Sequence, residues 1–343
     1  MRGHRIFAAV YAAALIAFTG YIALDTFVLE DVYQTDTTEM NLTMFAEESS
    51  SAALPEQSTR SGSTGGAGES RVSRHSRSSE RSTQQTQTAP AESSTADTAS
   101  ASVSSENSYM DDNIAVTLST YRAADTTVYA ADVQLSSAQY LKSAFAYDTY
   151  GKNVTAATSE TAAAHNAILA VNGDYYGAQE RGYVIRNGIV YRDSSNGKDL
   201  LCVYADGSMK IVNSDDYSAE ELVEQGVWQA YCFGPALLEN GSISVSQNEE
   251  VGRAMASNPR TAIGIIDDLH YVLIVSDGRT DESTGLSLYQ LAEFMQQLGV
   301  KTAYNLDGGG SSTMYFQGQV VNNPTTNGNR IQERGVSDIV YIG

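Results

Sequence analysis

Apolar and polar residues alternate along much of the chain after Ile114, with a period of two rather than 3.6. Ile114, Val116 and Leu118 stand at every second position, and Thr126–Leu135 is rich in β-formers, so both segments predict strands. Residues 167–171 form an unbroken apolar run, as a strand buried on both faces requires. Residues 260–266 and His270–Ser276 are split by Asp267-Asp268 and predict a hairpin. Asn187-Gly188, Asp206-Gly207 and Asn240-Gly241 predict three more hairpin turns, since these pairs tolerate the positive φ of a two-residue loop. A helical period appears in Leu288, Leu291, Ala292, Met295 and Leu298. Ser287 with Gln290 matches a capping box at its start, and Gly299 suits its end. Shorter helices are predicted at 159–166 and 218–225, a strand at 300–306, and closing strands at 312–316 and 335–342. Hairpins combined with a strand–helix–strand unit predict the α+β class: a mixed β-sheet core with a few helices.

The pattern is different before this domain. After the basic Met1-Arg2-Gly3-His4-Arg5, residues 6–24 run for 19 positions without a charge. At ~1.5 Å rise per residue the run spans roughly 28 Å, close to the ~30 Å hydrocarbon core of a bilayer. Residues 1–30 are therefore expected to be a cytoplasmic N-terminus and a transmembrane signal anchor, with the remainder extracytoplasmic on a single-pass plasma-membrane protein. Residues 31–108, dominated by Ser, Thr, Ala, Gln and Glu, are expected to be a disordered linker that buries too little apolar surface to fold. Residues 109–343 are then one domain. The chain carries 21 Lys+Arg against 41 Asp+Glu, a net charge of −20. That balance argues against a nucleic-acid partner and makes any clustered arginines conspicuous. The two cysteines, Cys202 and Cys232, either pair or stay as buried thiols, and their spacing does not decide.

The candidate chemistry begins at Asn305-Leu306-Asp307-Gly308-Gly309-Gly310-Ser311-Ser312, where a carboxylate precedes three glycines and two hydroxyls at a strand end. Consecutive amides in a glycine turn can make an anion-holding concavity. Asp174 and Asp277 occupy the same kind of place, each after an apolar strand and beside glycine. Arg260 opens one strand, Arg279 follows Asp277, and Arg334 precedes the last strand. Guanidinium groups stay charged and bind phosphate oxygens in pairs, so these arginines point to phosphate recognition; salt bridges to the same aspartates are the plainer reading. His165 and His270 lie beside no serine nucleophile with an orienting acid, which leaves a Ser-His-Asp hydrolase without support.

Six segments taken in order resemble the phosphodiester glycosidase family. They are Asn172-Gly173-Asp174-Tyr175-Tyr176, Phe233-Gly234-Pro235-Ala236-Leu237, Asn258-Pro259-Arg260-Thr261-Ala262-Ile263-Gly264, Ser276-Asp277-Gly278-Arg279, the Asn305 to Ser312 stretch, and Glu333-Arg334-Gly335-Val336-Ser337-Asp338. The resemblance implies hydrolysis of a sugar-1-phosphodiester without a cofactor or metal. Water replaces the phosphate at the anomeric carbon, and a phosphomonoester leaves. Arg260, Arg279, Arg334 and the Gly308, Gly309 and Gly310 amides would receive the phosphate. Asp174, Asp307 and Asp277 would supply the carboxylate chemistry, with Asp277 acting directly or orienting Arg260. Ser311 and Ser312 would bind phosphate or sugar, and Tyr175 and Tyr176 would stack on a sugar ring. The membrane-tethered form is similar to that of bacterial members linked to exopolysaccharide or cell-wall metabolism, which makes a glycosyl-phosphate polymer the expected partner. Two other readings use the same residues. One is a module that binds anionic wall polymer without cleaving it. The other is a phosphoesterase with Asp174, Asp277 and Asp307 as metal ligands.

Overall fold

The computed structural model describes residues 11, 14–21, 31–32, 102–250, 257–326 and 330–343. Residues 14–21 are helical, but among the described residues no helix is long and apolar enough to cross a membrane. The rest of the expected anchor, and the linker over 33–101, lie outside the described residues.

Three sheets build the domain. A nine-stranded sheet runs, from edge to edge, Ser242–Ile243, Ala236–Glu239, Thr302–Asn305, Arg260–Asp267, His270–Ser276, Thr126–Leu135, Ile114–Ala123, Ser108–Met110 and Val103–Ser105. One five-stranded sheet has Val184–Arg186 and Val227–Tyr231 near its middle, and the other centres on Leu169–Asn172 and Asp338–Ile342. The sheet-dominated architecture with few helices follows the sequence reading, but the described strand pairs are antiparallel throughout. The expected strand–helix–strand unit makes no parallel pair. Arg260–Asp267 lies between His270–Ser276 and Thr302–Asn305 and pairs antiparallel with each. Val103–Ser105 and the first residue of Ser108–Met110 fall within the stretch assigned to the linker, as does Asp31–Val32, which pairs with Gly151–Lys152 in a separate two-stranded sheet, so order begins before residue 109. Edge pairing of this kind rests on backbone hydrogen bonds, which a search for apolar runs does not register.

Alternation places core on both faces of the large sheet. Ile263, Leu273 and Val275 face the two smaller sheets, packing with Leu169, Val171, Leu201 and Val340. Ala262, Val272 and Ile274 face the opposite way, against the Leu288–Gln297 helix. This two-sided burial explains why these strands read as continuous apolar runs. The helix has the expected capping box: Ser287 accepts from the Gln290 amide, and the Gln290 side chain accepts from the Ser287 amide. Its buried positions Leu288, Leu291, Ala292 and Met295 are those of the predicted stripe.

One buried ion cluster joins the two small sheets. Arg186, at the end of its strand, reaches Asp174 at 2.9 Å and Asp338 at 2.8 Å across the sheet boundary, and all three side chains are 1% exposed. Gly173 permits this approach, since a Cβ there would lie 2.1 Å from the Asp338 carboxylate. Burial pushes the Asp338 carboxyl up to about 6, with Arg186 opposing. Cys202 and Cys232 are free and buried, and burial pushes their thiols up to about 12 and about 11.

Removing the guanidinium would strand two buried carboxylates. Arg186→Met is therefore expected to lower unfolding free energy by about 3–5 kcal/mol, read from urea midpoints. A loss below about 1 kcal/mol, the size of a surface pair, would show that the cluster does not hold the sheets together.

Candidate active site

The site is built where the large sheet meets the sheet containing Leu169–Asn172. Thr302–Asn305 ends there, and the chain continues as Leu306 and Asp307 between two strand ends. The Leu306 amide donates to Thr261 O at 2.9 Å, and the Asp307 amide donates to Gly173 O at 3.2 Å. Asn172 Nδ2 holds the Asp307 carbonyl at 2.6 Å, while Asn172 Oδ1 accepts from Thr261 Oγ1 at 2.8 Å. Leu306 is thus fixed from the large sheet and Asp307 by its backbone from the Asn172–Gly173 segment, before the Asp307 side chain makes any contact.

A pocket of about 410 Å³ opens over this seam. Arg260, Arg279, Arg334, Asp307, Gly308 and Gly309 line it, together with Tyr175, Phe233, Asn258, Asn305 and Leu306. Three guanidiniums from three parts of the chain meet here. Arg260 opens its strand opposite Ser276, so the strand pairing brings it close to Arg279, three residues past Ser276 in a left-handed conformation (φ 62°). Arg334 comes from the loop before the final strand.

Their partners differ. Arg334 Nη2 donates to Asp307 Oδ2 at 2.8 Å, and its Nε donates to Ser311 Oγ at 2.9 Å. Arg260 Nη2 donates to Glu250 Oε2 at 2.7 Å, and its Nε donates to Leu286 O at 2.8 Å. Arg279 finds only neutral acceptors among the described residues, Asn258 Oδ1 at 3.0 Å and Thr325 O at 3.4 Å. Burial, with the neighbouring Arg279, depresses Arg260; burial, with Arg334, depresses Arg279. Both remain cations at any working pH. Crowded cations of which one lacks a carboxylate form a receptor for an anion. Asp307 faces them, its carboxyl raised by burial, with Arg334, Ser311 and the Gly308 amide acting against the shift.

The other predicted residues take different roles. Asp174 is outside the pocket: its Oδ1 is held by Arg186 and its Oδ2 accepts from the Cys232 amide at 2.8 Å. Asp277 does not orient Arg260. Its oxygens accept from the Asn323 amide at 2.8 Å, from both the Asn322 and Asn323 side chains, and from Tyr129. Both aspartates follow strands beside glycine, as Asp307 does, but their acceptor sites are already filled. The glycine triplet is not the expected amide cradle. The Gly308 amide donates to Asp307 Oδ1 at 2.9 Å, and the Gly309 amide donates to Pro259 O at 2.8 Å. These glycines provide space instead: a Cβ on Gly309 would lie 2.8 Å from Arg279 Nη2, and one on Gly310 would lie 2.8 Å from Thr326 Oγ1. Ser311 reaches the site through Arg334, whereas the Ser312 hydroxyl is buried with no hydrogen-bond partner among the described residues. Tyr175 is 46% exposed on the pocket rim, with Arg334 over its ring at 6.0 Å. Tyr176 is 2% exposed and stacks on Tyr150 inside the core. Glu250 and Asn258 also hold arginines here: Asn258 lies directly before Pro259-Arg260 in the sequence, but no local pattern marks Glu250.

Residues 165–343 match the model of the family described as phosphodiester glycosidase. The uncharacterized protein YomE, SPbeta prophage-derived, of Bacillus subtilis is 28% identical over 163 residues, which cover 46% of this chain and 25% of that protein. N-acetylglucosamine-1-phosphodiester alpha-N-acetylglucosaminidase of Mus musculus is 35% identical over 109 residues, 31% of this chain and 21% of the mouse protein. The match therefore spans a quarter or less of these curated relatives. Among solved structures, the catalytic domain of the zebrafish N-acetylglucosamine-1-phosphodiester alpha-N-acetylglucosaminidase, auto-inhibited by its pro-peptide, shares the fold with a TM-score of 0.53. It is 21% identical, and the match covers 67% of this chain and 82% of that one. A hypothetical protein from Synechocystis has a TM-score of 0.52 at 14% identity, over 67% of this chain and 62% of its own. With residues 165–343, more than half of its length, conforming to that family's model, the chain belongs to the phosphodiester glycosidase family.

Proposed function

We propose that the chain hydrolyses the glycosidic bond of a sugar-1-phosphodiester, releasing the free sugar and a phosphomonoester. One observation carries this reading: Asp307 lines the same pocket as Arg260, Arg279 and Arg334. The phosphate sits on the guanidiniums, with Arg279 the first contact because its partners are neutral. Asp307 takes a proton from water as the water oxygen bonds to the anomeric carbon. The carbon–oxygen bond to phosphate breaks, and the electron pair stays on the phosphate. A phosphomonoester with a second pKa of about 6 leaves without much protonation, so fixed positive charge suffices at that end. The phosphoesterase reading needs Asp174, Asp277 and Asp307 around one ion, but Asp174 and Asp277 are held by partners outside the pocket. The curated relative named above for N-acetylglucosamine-1-phosphodiester makes an amino-sugar phosphodiester the first substrate to try. The uncharged 6–24 run supports an extracytoplasmic, membrane-tethered setting, with an exopolysaccharide or cell-wall glycan as the natural partner.

Asp307→Asn is expected to lower turnover of such a diester by roughly 10²–10⁴-fold while leaving ligand affinity within a few-fold, measured by sugar release and by calorimetry. Hydrolysis in ¹⁸O-water should label the sugar; label on the phosphate would overturn the reading.

Asp307 must be ionised to act as a base. Its carboxyl is raised, so activity should fall on acidification at a pH above that of an ordinary aspartate, about 4. Arg334 opposes that shift, and Arg334→Met should therefore move the acid limb of the kcat/KM profile, which reports the free enzyme, to higher pH. An unmoved or lowered limb would show that another group titrates.

The two neighbouring tyrosines should separate. Tyr175→Ala is expected to raise KM and change stability by less than about 0.5 kcal/mol. Tyr176→Ala should lower stability by about 3–5 kcal/mol, as seen in urea unfolding.

A further inference from the structure

We propose that Glu250 is a counter-anion built into the pocket, occupying on Arg260 the place that a substrate phosphate oxygen takes. The proposal rests on the anion-binding reading above and deepens it by naming the side chain that phosphate displaces. Glu250 Oε2 lies 2.7 Å from Arg260 Nη2, a charge-assisted bond of the kind guanidinium makes equally well with phosphate.

Exposure and anchoring decide which partner moves. The Arg260 side chain is 3% exposed and is also tied through Nε to Leu286 O, at the start of a paired strand. The Glu250 side chain is 21% exposed and belongs to no strand or helix. Space for it adjoins the pocket. A second cavity of about 340 Å³ is lined by Glu250 itself, with Lys198, the acids Asp199 and Glu249, and Phe233, Gly234 and Pro235, and Phe233 is a wall of both cavities. Glu250 therefore has two positions: on Arg260 when the pocket is empty, and in the adjoining cavity, which Lys198 borders, when an anion is bound.

The exchange sets ligand class. A phosphodiester replaces one charge-assisted pair with another, so the guanidinium is never left buried without an anion. A neutral glycoside offers Arg260 no replacement and leaves Glu250 in place. The pocket thereby discriminates against uncharged sugars, and its apparent affinity for phosphate falls by the fraction of molecules in which Glu250 is off Arg260.

The test is calorimetric titration of the full chain with inorganic phosphate. Glu250→Gln should lower the dissociation constant by about tenfold with little change in Tm. Asp267→Asn makes the same charge change at a surface pair with Lys301 and should leave it within about twofold. With a cleavable diester, KM should fall in Glu250→Gln while kcat does not rise. Phosphate affinity that is unchanged or weaker in Glu250→Gln would overturn the proposal, because the carboxylate would then hold Arg260 in place for the ligand. The expected affinity ratio without cleavage of any sugar phosphodiester would support the displacement and sink the hydrolytic reading. A wild type that binds no phosphate would sink both.

Discussion

A guanidinium buried between two carboxylates sets the geometry of the site. Arg186, from one small sheet, holds Asp174 and Asp338 of the other, and so ties the two small sheets together. The register then passes outward through the backbone. The Gly173 amide donates to Asp338 O at 2.9 Å, and Gly173 O receives the Asp307 amide. Asp307 is thus two peptide hydrogen bonds from the ion cluster. Replacing such a cluster with apolar side chains need not destabilise a protein, but removing one member does, and this asymmetry makes it a good registry device. Here the registry it keeps is that of the one aspartate that lines the pocket.

The pocket uses the same residue types with the opposite balance. In the buried cluster two acids enclose one base. In the pocket three bases meet one pocket-lining acid, and a second acid approaches from the side. For a chain of net charge −20, concentrating cations in one cavity makes that cavity the exception on its surface. The guanidiniums are also graded. Arg334 is committed to Asp307 and Ser311, Arg260 is shared with Glu250, and Arg279 rests on neutral oxygens. An anion entering the pocket would meet least competition at Arg279, whose partners are neutral, and most at Arg334, which is already paired with Asp307.

Local pattern made the secondary structure legible. The hairpin turns at Asn187-Gly188, Asp206-Gly207 and Asn240-Gly241, and the capping box at Ser287, each depend on neighbours within four residues, and each is present. Asp307 and the three arginines were also legible, because charge at strand ends is a local signature. What the sequence could not do was rank the three aspartates. Asp174, Asp277 and Asp307 have the same surroundings along the chain. They differ only in what arrives from elsewhere: Arg186 from a hairpin, Asn322 and Asn323 from a late loop, Arg334 from the segment before the last strand. The glycine triplet misled for a related reason. Two of its three amides, those of Gly308 and Gly309, are consumed by Asp307 and Pro259, and a single sequence does not reveal where an amide points. Tyr175 and Tyr176 are adjacent in sequence and opposite in burial, because the left-handed turn at Tyr175 (φ 65°) sends one ring outward and the other into the Tyr150 and Phe145 cluster.

The segment that carries Asp307 also breaks the rule that buried polar atoms are paired. Among the described residues, Asn305 Oδ1, Ser312 Oγ and Thr313 Oγ1 are buried without a hydrogen-bond partner. Each unpaired group of this kind costs about 1–3 kcal/mol, a penalty that ordinary packing would remove by substituting an apolar side chain. Asn305 cannot be so replaced without loss, because its Nδ2 holds Gly234 O at 2.8 Å and ties the Phe233-Gly234-Pro235 corner to the strand that ends at the site. Half of the amide is thus structural, and the other half belongs to a residue that lines the pocket. Two of the unpaired atoms, on Ser312 and Thr313, follow the glycine turn and the third precedes Asp307, so the stretch around the pocket carboxylate is positioned by its backbone, through the Leu306 amide on Thr261 O and the Asp307 amide on Gly173 O, rather than by these side chains.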